Sequence, residues 1–223
     1  MYNHRSLQVV TPPASEPVSL AIVKQFCRID TTADDNMIPM LITGAREWCE
    51  GFTGRKFMPQ TLQAAWDRFP MLPNMQYSPG NPNALVPAVN NMWPLNPSAW
   101  AIELPGPPVT AVNSVQYYDQ NQLLQTLPPS QYQADLASEP ARLTPATGSY
   151  WPQCSFMPSA VIVNYQSGYS ATPLPNAFMN AIMMLVAYLY QNREAVIVDA
   201  SVKVQEAPLG VKEYLWTHRQ IEF

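Results

Sequence analysis

The spacing of apolar residues predicts two helices near the start of the chain. In the first, from Ser19 to about Ile29, apolar side chains recur every three or four residues, at Leu20, Val23, Phe26 and Cys27. Ser19 is suited to cap this helix, because its hydroxyl can accept a hydrogen bond from a free N–H of the first turn. The preceding residues, 1–17, contain three prolines and no helical apolar repeat, so we expect an extended N-terminal arm.

The second predicted helix carries its apolar stripe at Met37, Leu41, Ala45, Trp48, Cys49 and Phe52. Thr32 and Asp35 resemble a capping box at its start, and Gly51 and Gly54 are expected to end it. Pro39 fits this pattern poorly, because proline lacks the N–H that a helix interior needs. The helix therefore either begins later than Thr32 or kinks at Pro39.

Between Pro59 and Pro175 the apolar residues alternate instead, and 19 of the chain's 24 prolines lie there. Alternation predicts strands at Thr61–Trp66, Ile102–Leu104, Val112–Tyr118, Leu123–Leu127 and Ala160–Tyr165. The sequence Asp-Gln-Asn-Gln from Asp119 is a plausible hairpin turn between two of them. Residues 70–102 hold seven prolines and six asparagines before the first charge, Glu103, so we expect a long irregular loop.

Helical spacing returns after Pro175, which suits the first position of a helix. The broad apolar face of this third helix comprises Ala177, Phe178, Ala181, Ile182, Leu185, Val186 and Leu189. Residues 192–194 are expected to close it, and residues 195–207 read as an exposed connection. A short last helix is predicted from Gly210 to about His218.

These patterns predict an α+β fold, in which helices from the two ends of the chain form one bundle and a β-rich insertion lies between them. Each terminal helix has one apolar stripe, and packing the stripes together removes both from water. The predicted division is an arm at 1–17, a helical core at 18–58 and 174–218, a β-rich insertion at 59–173 containing the uncharged loop 70–102, and a tail at 219–223.

Charge and composition narrow the classes of function. Only 13% of the residues are charged, about half the usual share, and no Lys or Arg occurs from Phe69 to Ala141. Tight binding of nucleic acid needs basic residues, so this stretch can border DNA only without gripping it. The sequence predicts no membrane span and no signal peptide, and the three cysteines are expected to be buried, reduced thiols.

No pattern of catalytic, cofactor-binding or metal-ligating residues is present in the sequence. The two histidines, His4 and His218, both lie near chain ends, which makes a nucleophile–histidine site improbable. Asp34 and Asp35 are better explained as helix-start carboxylates, and Arg46, Glu47 and Glu50 as solvated or paired side chains on the polar face of the second helix. Six aromatic residues are expected in the core or an interface, or else on a carbohydrate-binding platform: Trp93, Trp100, Tyr117, Tyr118, Tyr150 and Trp151.

Several segments, in order, resemble head–tail connector proteins of long-tailed bacteriophages and prophages. Residues 17–30 read PVSLAIVKQFCRID, and that family typically opens with SL-x-x-x-K-x-x-L-R-I-D. Residues 41–55, LITGAREWCEGFTGR, resemble the family's second helix. Further similar segments are LPGPPVTAVNSVQY at 104–117, VIVNYQSGY at 161–169 and AYLYQNREA at 187–195.

The resemblance implies a non-enzymatic virion subunit that needs no cofactor and forms a ring, commonly of twelve copies, beneath the portal protein. Such a ring extends the channel for passing double-stranded DNA and docks a tail-side completion or terminator protein. Assembly in the host cytoplasm and a final place at the head–tail junction follow from the same family. The alternative is a tail-tip or fibre-associated module that binds a host surface through the loop at 70–102 and the aromatic residues.

The C-terminal residues form the one candidate binding site in the sequence. Tyr214, Leu215, Trp216, Ile221 and Phe223 are too apolar for an idle chain end. We therefore predict that they anchor the subunit to the portal, and that removal of residues 213–223 leaves the fold intact. The alternative is that these side chains cover the chain's own helical bundle.

Overall fold

The predicted α+β class is confirmed by a computed structural model, which describes residues 6–70, 75–78, 81–87, 100–170, 173–192 and 209–220. The chain divides into two compact units. The β-rich unit comprises Met1–Thr11 and Thr61–Gln166, and the helical unit comprises Pro12–Gln60 and Ser167–Phe223. The two ends of the chain thus contribute helices to one unit, and the strand-rich middle forms the other together with the N-terminal strand.

Four helices among the described residues form the helical unit: α1 (Leu20–Cys27), α2 (Ile38–Thr53), α3 (Asn176–Gln191) and α4 (Leu209–Trp216). α3 packs against each of the other three, and α2 also contacts α4. Phe57 and Phe178 stack at the centre with ring centroids 4.4 Å apart, although 121 positions separate them in the sequence. The predicted bundle of N- and C-terminal helices is therefore present.

The helix boundaries follow from capping. Ser19 caps α1 as predicted, with its hydroxyl accepting a hydrogen bond from the Ile22 N–H. α2 begins at Ile38 and Pro39 lies in its first turn, where the missing N–H costs nothing, so the later start is the correct alternative. Gly54, in the left-handed conformation, ends α2, whereas Gly51 lies inside the helix and does not end it as predicted.

The β-rich unit contains ten strands among the described residues, β1 to β10 in chain order. They are Ser6–Thr11, Gln60–Trp66, Met75–Ser78, Asn81–Pro87, Ile102–Leu104, Val109–Tyr118, Leu124–Leu127, Tyr132–Asp135, Ala141–Pro145 and Val161–Ser167. The main sheet has the order β1-β2-β10-β6-β7; β5-β9-β8 form a three-stranded sheet and β3-β4 a hairpin. One apolar core gathers side chains from both larger sheets, including Trp66, Tyr165 and Leu143.

The sequence patterns missed several of these strands. Residues 6–11, predicted as part of an extended arm, form β1 and pair antiparallel with β2. The prediction of an irregular loop over residues 70–102 is wrong in part, because Met75–Ser78 and Asn81–Pro87 pair as a hairpin. A two-stranded antiparallel pair tolerates proline where a central strand does not, because each strand keeps a free edge.

The predicted turn at Asp119 is present between β6 and β7. The Asp119 carboxylate accepts hydrogen bonds from the N–H groups of Asn121 and Leu123, and Gln122 adopts a left-handed conformation with φ of 62°. These bonds, together with one donated by the Gln125 side chain, hold the pKa of Asp119 below its usual value. The carboxylate therefore shapes the hairpin turn.

Gly168 is a position where only glycine fits. Its φ is +112°, and a Cβ added there would lie 2.1 Å from the carbonyl oxygen of Met58. We expect Gly168→Ala to lower the free energy of unfolding by about 2–4 kcal/mol, because strain and a backbone clash add. Gly51→Ala is the matched control: a Cβ there meets nothing within 4 Å, so this helical site should gain roughly 0.5–1 kcal/mol. Denaturant unfolding of both variants measures the difference, and equal stabilities would contradict this account.

Candidate interaction surface

The five residues predicted to bind the portal do not share one environment. Tyr214 and Trp216 are 48% and 63% exposed, whereas Leu215 is fully buried in the core of the helical unit. Leu215 is therefore removed from the predicted binding set, because its side chain already packs against its own chain. Ile221 and Phe223 lie outside the described residues.

Trp216 belongs to a surface that combines aromatic rings with an arginine, here called the aromatic–arginine surface: Trp48, Phe52, Trp216 and Arg219. Trp48 and Phe52, four residues apart on α2, stack with centroids 5.5 Å apart, and Phe52 contacts Trp216 at 6.5 Å. The Arg219 guanidinium carbon lies 5.5 Å from the Phe52 centroid and 5.6 Å from that of Trp216. A cation held against two rings presents a flat surface suited to apolar side chains and to carboxylates.

The segment after α4 is tied to the end of α2. The Gln220 N–H donates to the Thr53 carbonyl at 2.8 Å, and Arg55 Nε donates to the His218 carbonyl at 2.7 Å. The His218 ring packs edge-on against Phe178 with centroids 5.0 Å apart. Removal of residues 213–223 would break these contacts and take Leu215 out of the core, so we expect it to destabilise the helical unit and not to leave the fold intact.

A buried charge network supports α2 from within the helical unit. Glu16, in the segment before α1, accepts hydrogen bonds from Arg46 Nε and from the Thr43 hydroxyl, both at 2.8 Å. Arg46 Nη1 also lies 3.4 Å from Glu50, and both side chains are almost fully buried. Burial acts to lower the pKa of Arg46, but Glu16 and the other nearby carboxylates outweigh it and raise that pKa.

Glu50 connects this network to the chain beyond α2. Its carboxylate accepts from Lys56 Nζ at 3.1 Å, from the Phe57 N–H at 3.0 Å and from Gln60 Nε2 at 3.5 Å. The sequence left open whether the polar side chains of α2 are solvated or paired. For Arg46 and Glu50, pairing is therefore correct. A carboxylate with its acceptor sites occupied by cations and amides holds the turn into β2 in place.

The adjacent carboxylates of Asp34 and Asp35 are used in different contacts. Lys24 Nζ binds Asp35 at 2.6 Å, which ties α1 to the turn before α2. The Tyr190 hydroxyl donates to Asp34 at 2.6 Å, which ties the same turn to the end of α3. Both carboxylates brace helices and do not point together at a reaction site.

The described residues contain no group of three or more His, Cys, Asp or Glu that could hold a metal ion. Cys27, Cys49 and Cys154 are free thiols, and burial is the main cause that raises the pKa of Cys49 to about 12, with a smaller contribution from Glu50. A thiol with such a pKa is inert as a nucleophile at neutral pH. In the part of the chain that the structure describes, no helix is long and apolar enough to cross a membrane.

The aromatic residues of the β-rich unit pack mostly on each other. Trp151 stacks on Phe69 with centroids 4.8 Å apart and donates from Nε1 to the Trp100 carbonyl at 2.8 Å. Tyr150, although largely exposed, stacks on the Trp100 ring. Of the aromatic set, Tyr117 and Trp151 are thus partly buried against the core of the β-rich unit, which supports the core alternative for these two. Trp93 lies outside the described residues.

A second exposed apolar surface, here called the α1 surface, consists of Ile22 and Phe26 and was not predicted from the sequence. Both side chains are about half exposed. Phe26 was assigned to the buried stripe of α1, yet Val23 is the one fully buried residue of that helix. A helix of two turns fixes its orientation through its neighbours, so periodicity alone could not place Phe26.

Comparison with known proteins finds a family match to the N-terminal part of the chain. Residues 17–88 match the family model described as "Phage gp6-like head-tail connector protein", which covers about a third of the chain. This confirms the resemblance stated from the sequence, in the segment that contains α1, α2 and the Arg46, Glu50 and Lys56 side chains of the charge network. A comparison with curated proteins finds no match.

The fold itself is shared with solved structures over nearly the whole chain. A chain from the neck of an empty gene transfer agent (GTA) particle, computed with C6 symmetry, superposes with a TM-score of 0.67 at 18% identity, covering 98% of this chain and 97% of that one. A chain from the virion of a native GTA particle gives 0.66 at 18% identity, with 97% and 96% covered. A third, from a native GTA neck with C12 symmetry, gives 0.59 at 17% identity, with 98% and 97% covered.

The neighbouring residues Leu215 and Trp216 allow a direct test of core against surface. We expect Leu215→Ala to lower the free energy of unfolding by about 2–5 kcal/mol, because it leaves a cavity in the helical core. Trp216→Ala should cost less than about 1 kcal/mol, because that ring is mostly in solvent and loses only its contacts with Phe52 and Arg219. Denaturant unfolding of each variant checks the difference; a larger loss for Trp216→Ala would contradict the surface assignment.

Proposed function

We propose that this chain is a structural head–tail connector subunit in the neck of a tailed phage or phage-like particle, without a catalytic role. The observation that carries the proposal is the fold, shared over almost the full length of chains from GTA necks. The connector family match over residues 17–88 supports it independently, because it comes from sequence. The chain would be assembled in the host cytoplasm and incorporated at the head–tail junction of the virion.

The proposed assembly is a ring of identical subunits, twelve in number, seated under the portal protein. Two of the solved structures with a similar fold come from necks computed with C6 and C12 symmetry. Such symmetry supports cyclic assembly around a channel. A ring of this kind needs lateral contacts between copies, and the α1 surface offers apolar side chains for them. The opposite face of the ring would receive the tail-side completion protein.

The charge of the β-rich unit suits a channel that DNA passes without adhering. Residues 61–166 contain five carboxylates and only two arginines, Arg68 and Arg142. Arg142 is paired with Asp135 at 2.6 Å, so its charge is locally neutralised. Binding to phosphates draws its free energy from released counterions, and a unit with so few cations gains little of it. We therefore propose passage of double-stranded DNA without sequence-specific contact.

The aromatic–arginine surface, together with Tyr214, is the proposed contact to the portal. Aromatic residues and arginine dominate the binding energy of protein interfaces, because they bury large areas and offer several donors. The segment that carries them is held by Leu215 and by the backbone bond from Gln220 to Thr53, so the surface is pre-organised. Ile221 and Phe223 would extend this contact.

Ring formation is tested by sedimentation of the purified protein with and without its portal. We expect a complex that carries twelve copies of the 25.0 kDa chain, which adds about 300 kDa to the portal ring. The protein alone can remain monomeric, since the portal acts as a template. A chain that stays monomeric with portal present, or that binds host cells as an isolated protein, would contradict the connector proposal and favour a host-binding module.

Portal contact is tested by point substitutions that keep the core intact. We expect Trp216→Ala combined with Tyr214→Ala to weaken portal binding by at least about 30-fold, or roughly 2 kcal/mol, as for typical hot-spot aromatics. Phe156→Ala is the matched control, because that ring is 99% exposed but lies in the β-rich unit. Equal binding by the double variant and the control, measured with immobilised portal, would remove this surface from the interface.

A further inference from the structure

The first strand of the β-rich unit carries core-facing apolar side chains that its own chain leaves uncovered. In the antiparallel pairing of β1 with β2, Val9 lies opposite Leu62 and Leu7 opposite Ala64. Directly paired residues share a face of the sheet, and Leu62 and Ala64 are fully buried in the core. Yet Val9 and Leu7 are 50% and 37% exposed. The apolar face of the main sheet therefore continues onto its edge and is left open there.

β1 has few of the features that protect natural sheet edges, apart from one irregularity in its register between Val9 and Thr11. Edge strands usually carry lysine, proline or inward-pointing charge, which block pairing with another chain. β1 reads SLQVVT and contains none of these, and all its residues after Ser6 are exposed. Such a strand presents a free row of N–H and C=O groups beside apolar side chains, which suits the addition of another strand.

The opposite edge of the same sheet offers a matching strand. β7, with the sequence LQTL, is the last strand on that side and pairs only with β6 among the described strands. In that pairing Leu127 lies opposite Val115 on the buried face, which places Gln125 on the core face and Leu124 on the other. Both edge strands are free of charged residues, so neither repels the other.

We propose that β1 of one copy pairs with β7 of the next copy around the ring, so that the main sheets join edge to edge. This inference rests on the proposed ring and adds a lateral contact in the β-rich unit to the one offered by the α1 surface. A closed ring of identical subunits needs two different, complementary surfaces on each copy, and a sheet with two open edges supplies both. Core-face residues of β7 would then lie beside Leu7 and Val9 and cover them.

A second copy fits this edge better than a partner of different chemistry. A strongly charged partner finds no opposite charge on β1, whereas the neutral strand β7 is present in every copy. Strands of six and four residues bury far less than the roughly 800 Å² per partner of a typical stable complex. We therefore expect the pairing only inside the assembled ring, where contacts in the helical unit act together with it.

The test is cysteine cross-linking in particles of the element that encodes the chain, with Cys27 and Cys154 replaced by serine and the buried Cys49 kept. Val9→Cys is combined with Gln125→Cys, because both positions lie on the core face of the main sheet. A short bismaleimide then joins cysteines on adjacent strands that lie directly or diagonally opposite each other, at ~5–8 Å. Within one chain the two positions lie four strand spacings apart, about 19 Å, so they cannot join. Val9→Cys with Leu124→Cys, on the opposite face, is the matched control.

We expect a ladder of cross-linked species, at multiples of 25.0 kDa, from particles that carry the same-face pair, and at least a fivefold weaker ladder from the control. Incorporation of both variants into particles shows that they fold. If the chain is present in the neck in many copies but stays uncross-linked, or cross-links to a different protein, the edge pairing is overturned and the connector function stands. If the chain is absent from the particles, both fail.

Discussion

The helical unit depends on contact between two segments far apart in the sequence, centred on the stacked rings of Phe57 and Phe178. Neither the N-terminal pair of helices nor α3 can bury its apolar stripe alone, because each stripe occupies one face of a short helix. Two hydrogen bonds, from Tyr190 to Asp34 and from Gln220 to Thr53, also join the N-terminal and C-terminal segments of this unit. The long insertion between these segments is therefore tolerated, since the entropic cost of closing a loop grows only slowly with its length.

Although charged residues are scarce in the sequence, two of them are buried and paired in the helical unit. Arg46 and Glu50 are buried, yet each has oppositely charged partners and further hydrogen bonds, which offsets the loss of hydration. The buried charges hold Glu16 and the turn after α2, so they specify how the chain enters and leaves the helices.

Much of the fold could be predicted from the spacing of apolar residues. The helices at Leu20–Cys27 and Asn176–Gln191 and the strand at Ile102–Leu104 were predicted because a single period runs through each. The strands Tyr132–Asp135 and Ala141–Pro145 were missed because they are only four and five residues long and have prolines nearby. So short a segment shows too little alternation of apolar and polar residues to predict a strand. Residues 6–11 were missed for another reason: every side chain after Ser6 is exposed, including Leu7 and Val9 on the core face of the sheet, so burial does not impose a clear alternation there.

The candidate site was predicted less well, because composition cannot separate adjacent apolar residues. Tyr214, Leu215 and Trp216 read alike as an apolar chain end, and only the packing of α4 on α3 decides that Leu215 is inside. Likewise, the polar face of α2 gave no sign that Arg46 and Glu50 would be covered, since the covering groups come from Glu16 and Lys56, outside that helix. Tertiary contacts, and not local sequence, determine which side chains are available to a partner.

The position of Leu215 between Tyr214 and Trp216 has a mechanical consequence. A short helix with its middle side chain in the core and its flanking rings outside joins the outer surface rigidly to the interior of the helical unit. Force applied to the aromatic side chains of Tyr214 and Trp216 would be transmitted through Leu215 and through the Gln220–Thr53 hydrogen bond to the rest of the helical unit. A subunit built in this way can bear load at its C-terminal surface.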